Sequence, residues 1–339
     1  MKVRMIILIL ALLLTLFSTQ AGAQTKVGTT AAPFLGIAVG PRAIGSGGAF
    51  VAQADDATAL YWNNAGIAQL TMSEIIVSHD EWIAGMSFDY VGAVFNIGSG
   101  AFGMSFTSLS MDEMEVTTVL DPEGNGERFD AGSVAVGLTY AYALTDRFYI
   151  GGTAKYIREY IWKESAHSFA CDLGTLYVTE FFNGMRIGAV ITNFGSSMEM
   201  EGDDLVFQHD IDENQDGNND NTLGSWMTDS WTLPINFRVG MAVELMQTDM
   251  HRVTMMTDVT HPNDNEESMN LGGEYAYKNT FFLRAGYKSL FLGKSEEGIT
   301  CGAGFLVSQF GSAQMGVDYA FQDFGRLEDT HTLSLRMRF

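Results

Sequence analysis

Basic residues are scarce in this sequence, with 19 Lys and Arg against 41 Asp and Glu in 339 residues, a formal charge of −22. That balance excludes nucleic acid as a partner, because a polyanion would be repelled. Only two cysteines are present, Cys171 and Cys301. Both fall mid-strand on an apolar register, about six strands apart, so they read as small apolar residues and not as a disulfide. The six histidines (His79, His167, His209, His251, His261 and His331) are widely scattered, with no pair at metal-ligand spacing, so nothing suggests zinc. No nucleophile motif marks a hydrolytic site, and an enzyme is not expected. Beyond the first residues no stretch approaches the ~18 uninterrupted apolar residues of a membrane-spanning helix. A chain of this kind can live in a membrane only as a closed barrel, in which every backbone polar group finds a partner strand.

Glycine is abundant (37) and proline rare (5), and 12% of the residues are aromatic. With no long helical pattern, this composition favours one large β structure. At the start of the chain Lys2 and Arg4 precede an apolar run from Met5 to Phe17, and Ala21-Gly22-Ala23 supplies small residues for cleavage. Residues 1–23 are therefore expected to be a secretory signal peptide, and its removal takes Lys2 and Arg4 with it and the charge to −24.

From Ser73 onward the pattern alternates with period two. Met269, Leu271, Gly273, Tyr275 and Tyr277 oppose Ser268, Asn270, Gly272, Glu274 and Ala276, and similar faces recur at 134–142, 281–288 and 313–321. Such alternation predicts strands with one apolar and one polar face. Aromatic residues gather at strand ends on the apolar face (Tyr140, Tyr142, Phe148, Tyr160, Trp162, Tyr275, Tyr277, Tyr319 and Phe321), as girdles at two membrane interfaces would. The segments count to about 14 strands, with 113–119 joined to 131–143 as one of them and another running over 231–245. Short turns at 97–99, 144–146, 181–183, 246–250, 278–279 and 309–312 alternate with longer loops at 80–86, 110–130, 162–165, 195–230, 261–266, 291–297 and 323–329. That asymmetry predicts an all-β, antiparallel transmembrane barrel over 73–339, with both termini on the short-turn, periplasmic side. Lys155, Glu159, Asp172, Glu180, Glu244, Glu274, Arg284, Lys288, Asp318, Arg336 and Arg338 fall on the polar face and are expected to line the lumen. The final strand ends in Phe339, resembling the signal read by barrel-assembly machinery, which is an expected partner during biogenesis.

One stretch departs from this rhythm. Between Gly40 and Leu70 the chain reads GPRAIGSGGAFVAQADDATALYWNNAGIAQL, rich in residues small enough to pack closely against a wall. It predicts a small N-terminal plug in the lumen within residues 24–72, entering from the periplasmic side. Its motif positions are Gly40, Arg42, Gly45, Gly47, Gly48, Asp55, Asp56, Trp62, Asn63, Asn64 and Gly66. Asp55 and Asp56 are expected to cap a short helix and to meet lumenal Arg284, Lys288, Arg336 or Arg338. Asn63-Asn64-Ala65-Gly66 supplies the turn that ends it.

The pattern Gly-x-Arg-Ala-x-Gly-x-Gly-Gly-Ala-Phe-Val-Ala-x-Ala-Asp-Asp-Ala-x-Ala-x-Tyr-Trp-Asn-x-Ala-Gly over 40–66 resembles the N-terminal signature of the PorV/PorQ family, outer-membrane barrels associated with type IX secretion. A looser version of it is similar to the FadL family, which carries hydrophobic molecules across the outer membrane. Asn64 stands where a proline is usual in both. The first resemblance implies residence in the bacterial outer membrane, contact with its lipid, and an accessory role in type IX secretion that binds or shuttles secreted cargo alongside other secretion components. The second implies the alternative, a FadL-like transporter of hydrophobic small molecules.

In the longest loop Asp212, Asn214, Asp216, Asn218 and Asp220, with Gly217 at the sixth position, match the ligand spacing of a calcium loop; otherwise no cofactor is expected. The twelfth position is Leu223 and not an acid, so a bidentate ligand would have to come from elsewhere, such as Asp229. A solvated acidic loop has the same composition. Calcium titration distinguishes the two: saturable binding that Asp216→Ala weakens markedly is the expected outcome, and identical flat titrations of wild type and variant would reject the calcium reading.

Overall fold

The structure is a computed structural model that describes residues 27–211, 221–293, 295–310 and 313–339. The expected signal peptide and the five acidic-loop positions at 212–220 lie outside the described residues. Alternation along the chain is realised as 14 antiparallel strands in one closed sheet. They are β1 (Glu74–Trp82), β2 (Met86–Asn96), β3 (Gly100–Ser110), β4 (Ala131–Thr145), β5 (Phe148–Ile161), β6 (Glu164–Val178) and β7 (Arg186–Gly195). The second half comprises β8 (Asn236–Gln247), β9 (His251–Pro262), β10 (Ser268–Tyr277), β11 (Phe281–Leu290), β12 (Ile299–Phe310), β13 (Ala313–Gln322) and β14 (Thr330–Arg338). Each strand pairs with its sequence neighbours, and β1 closes the ring on β14 with Val77 opposite Leu335. Closure leaves no sheet edge to be satisfied by water.

The two faces separate as the period-two pattern demands. On β14, Leu333, Leu335 and Met337 are exposed on the outside while Thr332, Ser334 and Arg336 are buried inside. Phe102, Tyr140, Tyr142, Tyr177, Phe281, Tyr287 and Tyr319 are exposed on the outer face, a continuous apolar surface that suits a lipid surrounding. Cys171 and Cys301 are free and exposed on that same face. Among the described residues no helix is long and apolar enough to cross a membrane.

Several boundaries differ from the sequence expectation. Residues 113–119 do not extend β4; Met114–Glu115 pair with Arg128–Phe129 in a small ribbon outside the barrel. β4 alone supplies 15 residues, more than the ~9–11 that a tilted strand needs to cross, so no extension is required. β8 begins at Asn236 and not at 231, because Pro234 has no N–H to donate to a ladder. Two connections expected to be long are tight: β1 runs to Trp82 and turns through Ala84 (φ 62°) and Gly85 (φ 71°), and β5 turns into β6 at Trp162 (φ 53°) and Lys163. Glu180 does not face the lumen; it lies past the end of β6, exposed and paired with Arg147.

The long connections, 111–130 and 196–235, share one end of the barrel, which marks it as the outer end. A substitution on the outer wall tests the assignment of faces. Leu335, 59% exposed at mid-strand, changed to Arg should cost about 2–4 kcal/mol in urea unfolding from lipid vesicles. An unchanged midpoint would mean that this face does not meet hydrocarbon.

Candidate functional site

Residues 33–70 fill the barrel lumen. The chain starts at the outer end, where Ala31 N–H donates to the Thr232 carbonyl (2.9 Å) and Ala32 N–H to Glu159 (3.0 Å). It reaches the short-turn end at Ser73, which pairs with Phe339, so the segment descends the lumen from the outer end and does not rise from below. Its structure is a 3-10 turn (Pro33–Gly36), α1 (Pro41–Gly45), α2 (Ala59–Trp62) and a second 3-10 turn (Asn64–Gln69). Pro41 opens α1 at a position where the missing N–H costs nothing. Gly40 precedes α1 at φ 81°, with Thr58 where a side chain would be.

The small residues permit contact of backbone on backbone. A Cβ on Gly47 (φ 69°) would lie 2.5 Å from the Leu271 carbonyl oxygen, and one on Gly45 would lie 3.0 Å from Gly302 of the wall. Gly48 packs beside Trp62 and Asn270, and Gly66 beside the Ala54 carbonyl. No larger residue fits at Gly47 or Gly66 without moving the backbone.

At the centre stands Arg42. Its Nε and Nη2 donate to the two oxygens of Glu274 at 2.9 and 3.2 Å, while Nη1 reaches Asp56 at 3.1 Å and also Asp55. Glu274, on β10, accepts further bonds from Arg252 (2.9 Å) and Arg284 (2.8 Å), and Arg284 continues to Asp318 at 2.7 Å. Asp55 also faces Arg186 at 3.8 Å, and Arg186 pairs with Glu244 at 2.7 Å. The expected partners of Asp55 and Asp56 are therefore corrected: both meet Arg42 of their own segment and not Arg284, Lys288, Arg336 or Arg338. Arg42 is the second residue of α1, between the acidic pair and Glu274. Burial pushes the Asp55 carboxyl up, but Arg42 and Arg186 outweigh it and hold the group below its ordinary range.

Other anchors surround this centre. Asp258 accepts the Phe50 and Val51 N–H groups at 2.8 and 2.9 Å. Asp56 does not cap α2 directly but accepts from Thr58 N–H at 2.9 Å just before it. Asn63 donates to the Val51 and Thr175 carbonyls, and Asn64 to Thr153 and the Asp172 carbonyl. Trp62 donates to the Val39 carbonyl at 2.8 Å, and Arg238 lies 5.3 and 5.1 Å from the Tyr61 and Trp62 rings. Arg186, Arg238, Arg252 and Asp258 were not among the expected lumenal charges, although the inward parity of β7, β8 and β9 carries them. Lys155 and Asp172, which were, pair at 2.7 Å.

Two of the cavities beside the segment lie towards the ends of the barrel. The outer one, of about 270 Å³, is lined by Tyr61, Trp62, Arg238, Asp264, Lys288 and Glu297. The other, of about 700 Å³, opens at the short-turn end. Among the described residues no group of His, Cys, Asp and Glu is arranged to hold a metal.

A family model described as "Type IX secretion system protein PorV" matches residues 20–211, which span the lumenal segment and β1 to β7. Solved barrels of similar fold include the Pseudomonas putida toluene transporter TodX (10% identity, 87% of this chain and 96% of that one, TM-score 0.53). The CymD monoaromatic hydrocarbon channel (12%, 88% and 97%, 0.55) and a Pseudomonas aeruginosa FadL homologue (11%, 89% and 98%, 0.51) are also similar. At such identities these likenesses carry the fold alone. No curated protein matches the chain.

Replacing Arg42 leaves Glu274, Asp55 and Asp56 short of a buried counter-charge. Arg42→Gln should cost about 3–5 kcal/mol in unfolding from detergent, and Arg42→Gln combined with Glu274→Gln should cost less than the sum of the single changes. Because the Asp55 value is lowered, its stabilising contribution is present above the ordinary carboxylate range and lost as pH falls through the lowered value. Wild type should therefore weaken more steeply in acid than Asp55→Asn, and parallel pH profiles would remove Asp55 from the network.

Proposed function

The chain belongs to the PorV family of type IX secretion system proteins, and on that premise we propose that it is an accessory of type IX secretion that binds or shuttles exported cargo proteins. It is a barrel of the bacterial outer membrane, in a family and a fold of secretion and transport barrels. The observation that carries the reading is the family match across the lumenal segment and the first half of the barrel, which includes the whole motif from Gly40 to Gly66.

Physical features support binding of proteins over conduction of apolar solutes. The segment over 33–70 acts in this reading as a plug, held by buried ion pairs, and the outer cavity above it presents Arg238, Asp264, Lys288 and Glu297. A site for hydrocarbons or fatty acids is instead mostly apolar, with few polar groups. Above the barrel the outer connection exposes Leu223, Trp226 and Met227, the last 90% exposed, with the Trp226 ring tilted against Phe207 at 5.0 Å. Apolar side chains clustered on an exposed loop fit a protein partner. The action is binding, with no covalent step assigned to any residue.

Crosslinking in the native envelope followed by purification tests this reading. Secreted proteins or other secretion components should co-purify, and Trp226→Ala combined with Met227→Ala should reduce their recovery severalfold while the barrel stays folded. Recovery of the barrel alone, with a stoichiometric lipid or hydrocarbon in the lumen, would replace the proposal by the small-molecule transporter.

A further inference from the structure

The cavity at the short-turn end gathers cations in a protein whose net charge is strongly negative. Arg42, Arg252, Lys278, Arg336 and Arg338 line it, against Asp55 as the one carboxylate among its described lining residues. Four of the five cations are paired: Arg42 with Asp55, Asp56 and Glu274, Arg252 with Glu274 through one Nη, Arg338 with Glu74, and Arg336 with Asp318.

Lys278 is not. Arg336, 5% exposed, shares the Asp318 carboxylate with Arg284; its Nε lies 3.2 Å from that carboxylate without a hydrogen bond, and its guanidinium carbon lies 5.9 Å from the Phe282 ring. One carboxylate between two guanidiniums leaves positive charge that a further anion would balance. Lys278, in the β10–β11 turn at the rim, touches the Tyr277 ring at 5.5 Å and holds no carboxylate among the described residues. The Nε of Arg252 is likewise buried and unpartnered.

From this geometry we propose that the periplasmic mouth is an anion-binding vestibule that receives an acidic segment of a polypeptide, with Arg336 at its floor and Lys278 at its rim. The cavity admits a chain end or loop and no folded domain. Phe282, Leu306 and Val307 line it beside the cations, so it offers apolar contact to a peptide backbone as well as charge to its carboxylates. The excess of acid elsewhere on the protein would repel an acidic chain, which leaves this mouth as the place where it is attracted. Anion binding stands on the cavity alone; the choice of a polypeptide rests on the reading above that this protein acts on exported proteins.

The test is fluorescence anisotropy of a rhodamine-labelled hexaglutamate peptide with the full-length barrel in detergent, alongside a labelled hexalysine control. Hexaglutamate should bind saturably, weaken as salt screens the mouth, and lose about tenfold in affinity in Lys278→Gln, a rim change remote from the core packing. A larger loss is expected in Arg336→Gln, with heat-modifiable migration on a gel checking that each variant folds. Hexalysine, attracted to the acidic surface elsewhere, should bind wild type and both variants alike. Absence of hexaglutamate binding, or affinity unchanged in both variants, overturns the proposal. Binding of inorganic phosphate through the same two residues with no affinity for the peptide overturns the polypeptide assignment, while the secretory role stands or falls separately on co-purification.

Discussion

Arg42 has to be neutralised where little water reaches it, and much of the lumen is arranged around that requirement. A guanidinium taken out of water needs most of its five donors met, and a single carboxylate cannot do so. The chain supplies Asp55 and Asp56 from a second stretch of the lumenal segment and Glu274 from the wall. Glu274 then carries more positive charge around it than one carboxylate balances, and Asp318 on β13 takes up the excess through Arg284. The relay ties the segment to the β9–β13 side of the wall. On the opposite side Asn63 and Asn64 do the corresponding work with neutral bonds to β5 and β6.

Buried ion pairs are poor sources of net stability compared with apolar packing, and a barrel interior of Leu and Val would hold a segment as tightly. What charge adds is position: an ion pair moved by one residue is lost, whereas an apolar contact moved by one residue is exchanged for another. The glycines act in the same sense. Gly47 can approach the Leu271 carbonyl, and Gly286 the backbone of Ser46 and Gly47, only in one placement of α1 against β10 and β11.

The barrel was legible in the sequence because its physics is local. A strand between lipid and lumen must alternate at every residue, so 14 strands announced themselves even where their ends did not. Errors fell where local rules compete: Pro234 delayed β8, Trp162 and Ala84 took left-handed conformations that made hairpins of expected loops, and 113–119 alternated beside a β4 already long enough to cross without it. The lumenal segment was visible as a departure from rhythm, and its glycines as small residues for close packing. Which residue answers which charge was not visible. Asp55 has Lys and Arg candidates on many strands, and only the fold brings Arg186 and Arg42 beside it. Asp258 could be placed on the inner face by parity, but its bonds to the Phe50 and Val51 N–H groups are partnerships across more than 200 positions of sequence.

Filling the lumen with a segment tied in this way has a consequence for how the barrel can work. To open a channel from end to end, residues 33–70 would have to leave, breaking the Arg42 relay, the Asp258 bonds and the Asn63 and Asn64 anchors together. Each of those groups would then face the lumen with its charge or donor unmet until water entered, and the losses would be concerted, since the anchors sit on opposite walls and hold one short piece of chain. Movement of the segment as a gate is thus opposed by the same network that fixes its position. The surfaces left free to act are the two mouths and the outer loops, which differ in character. The outer connections carry acidic and apolar side chains, and the inner mouth carries arginine and lysine. Under the two proposals made above, the two mouths would meet partners of different chemistry, and the tied segment would hold the middle fixed between them.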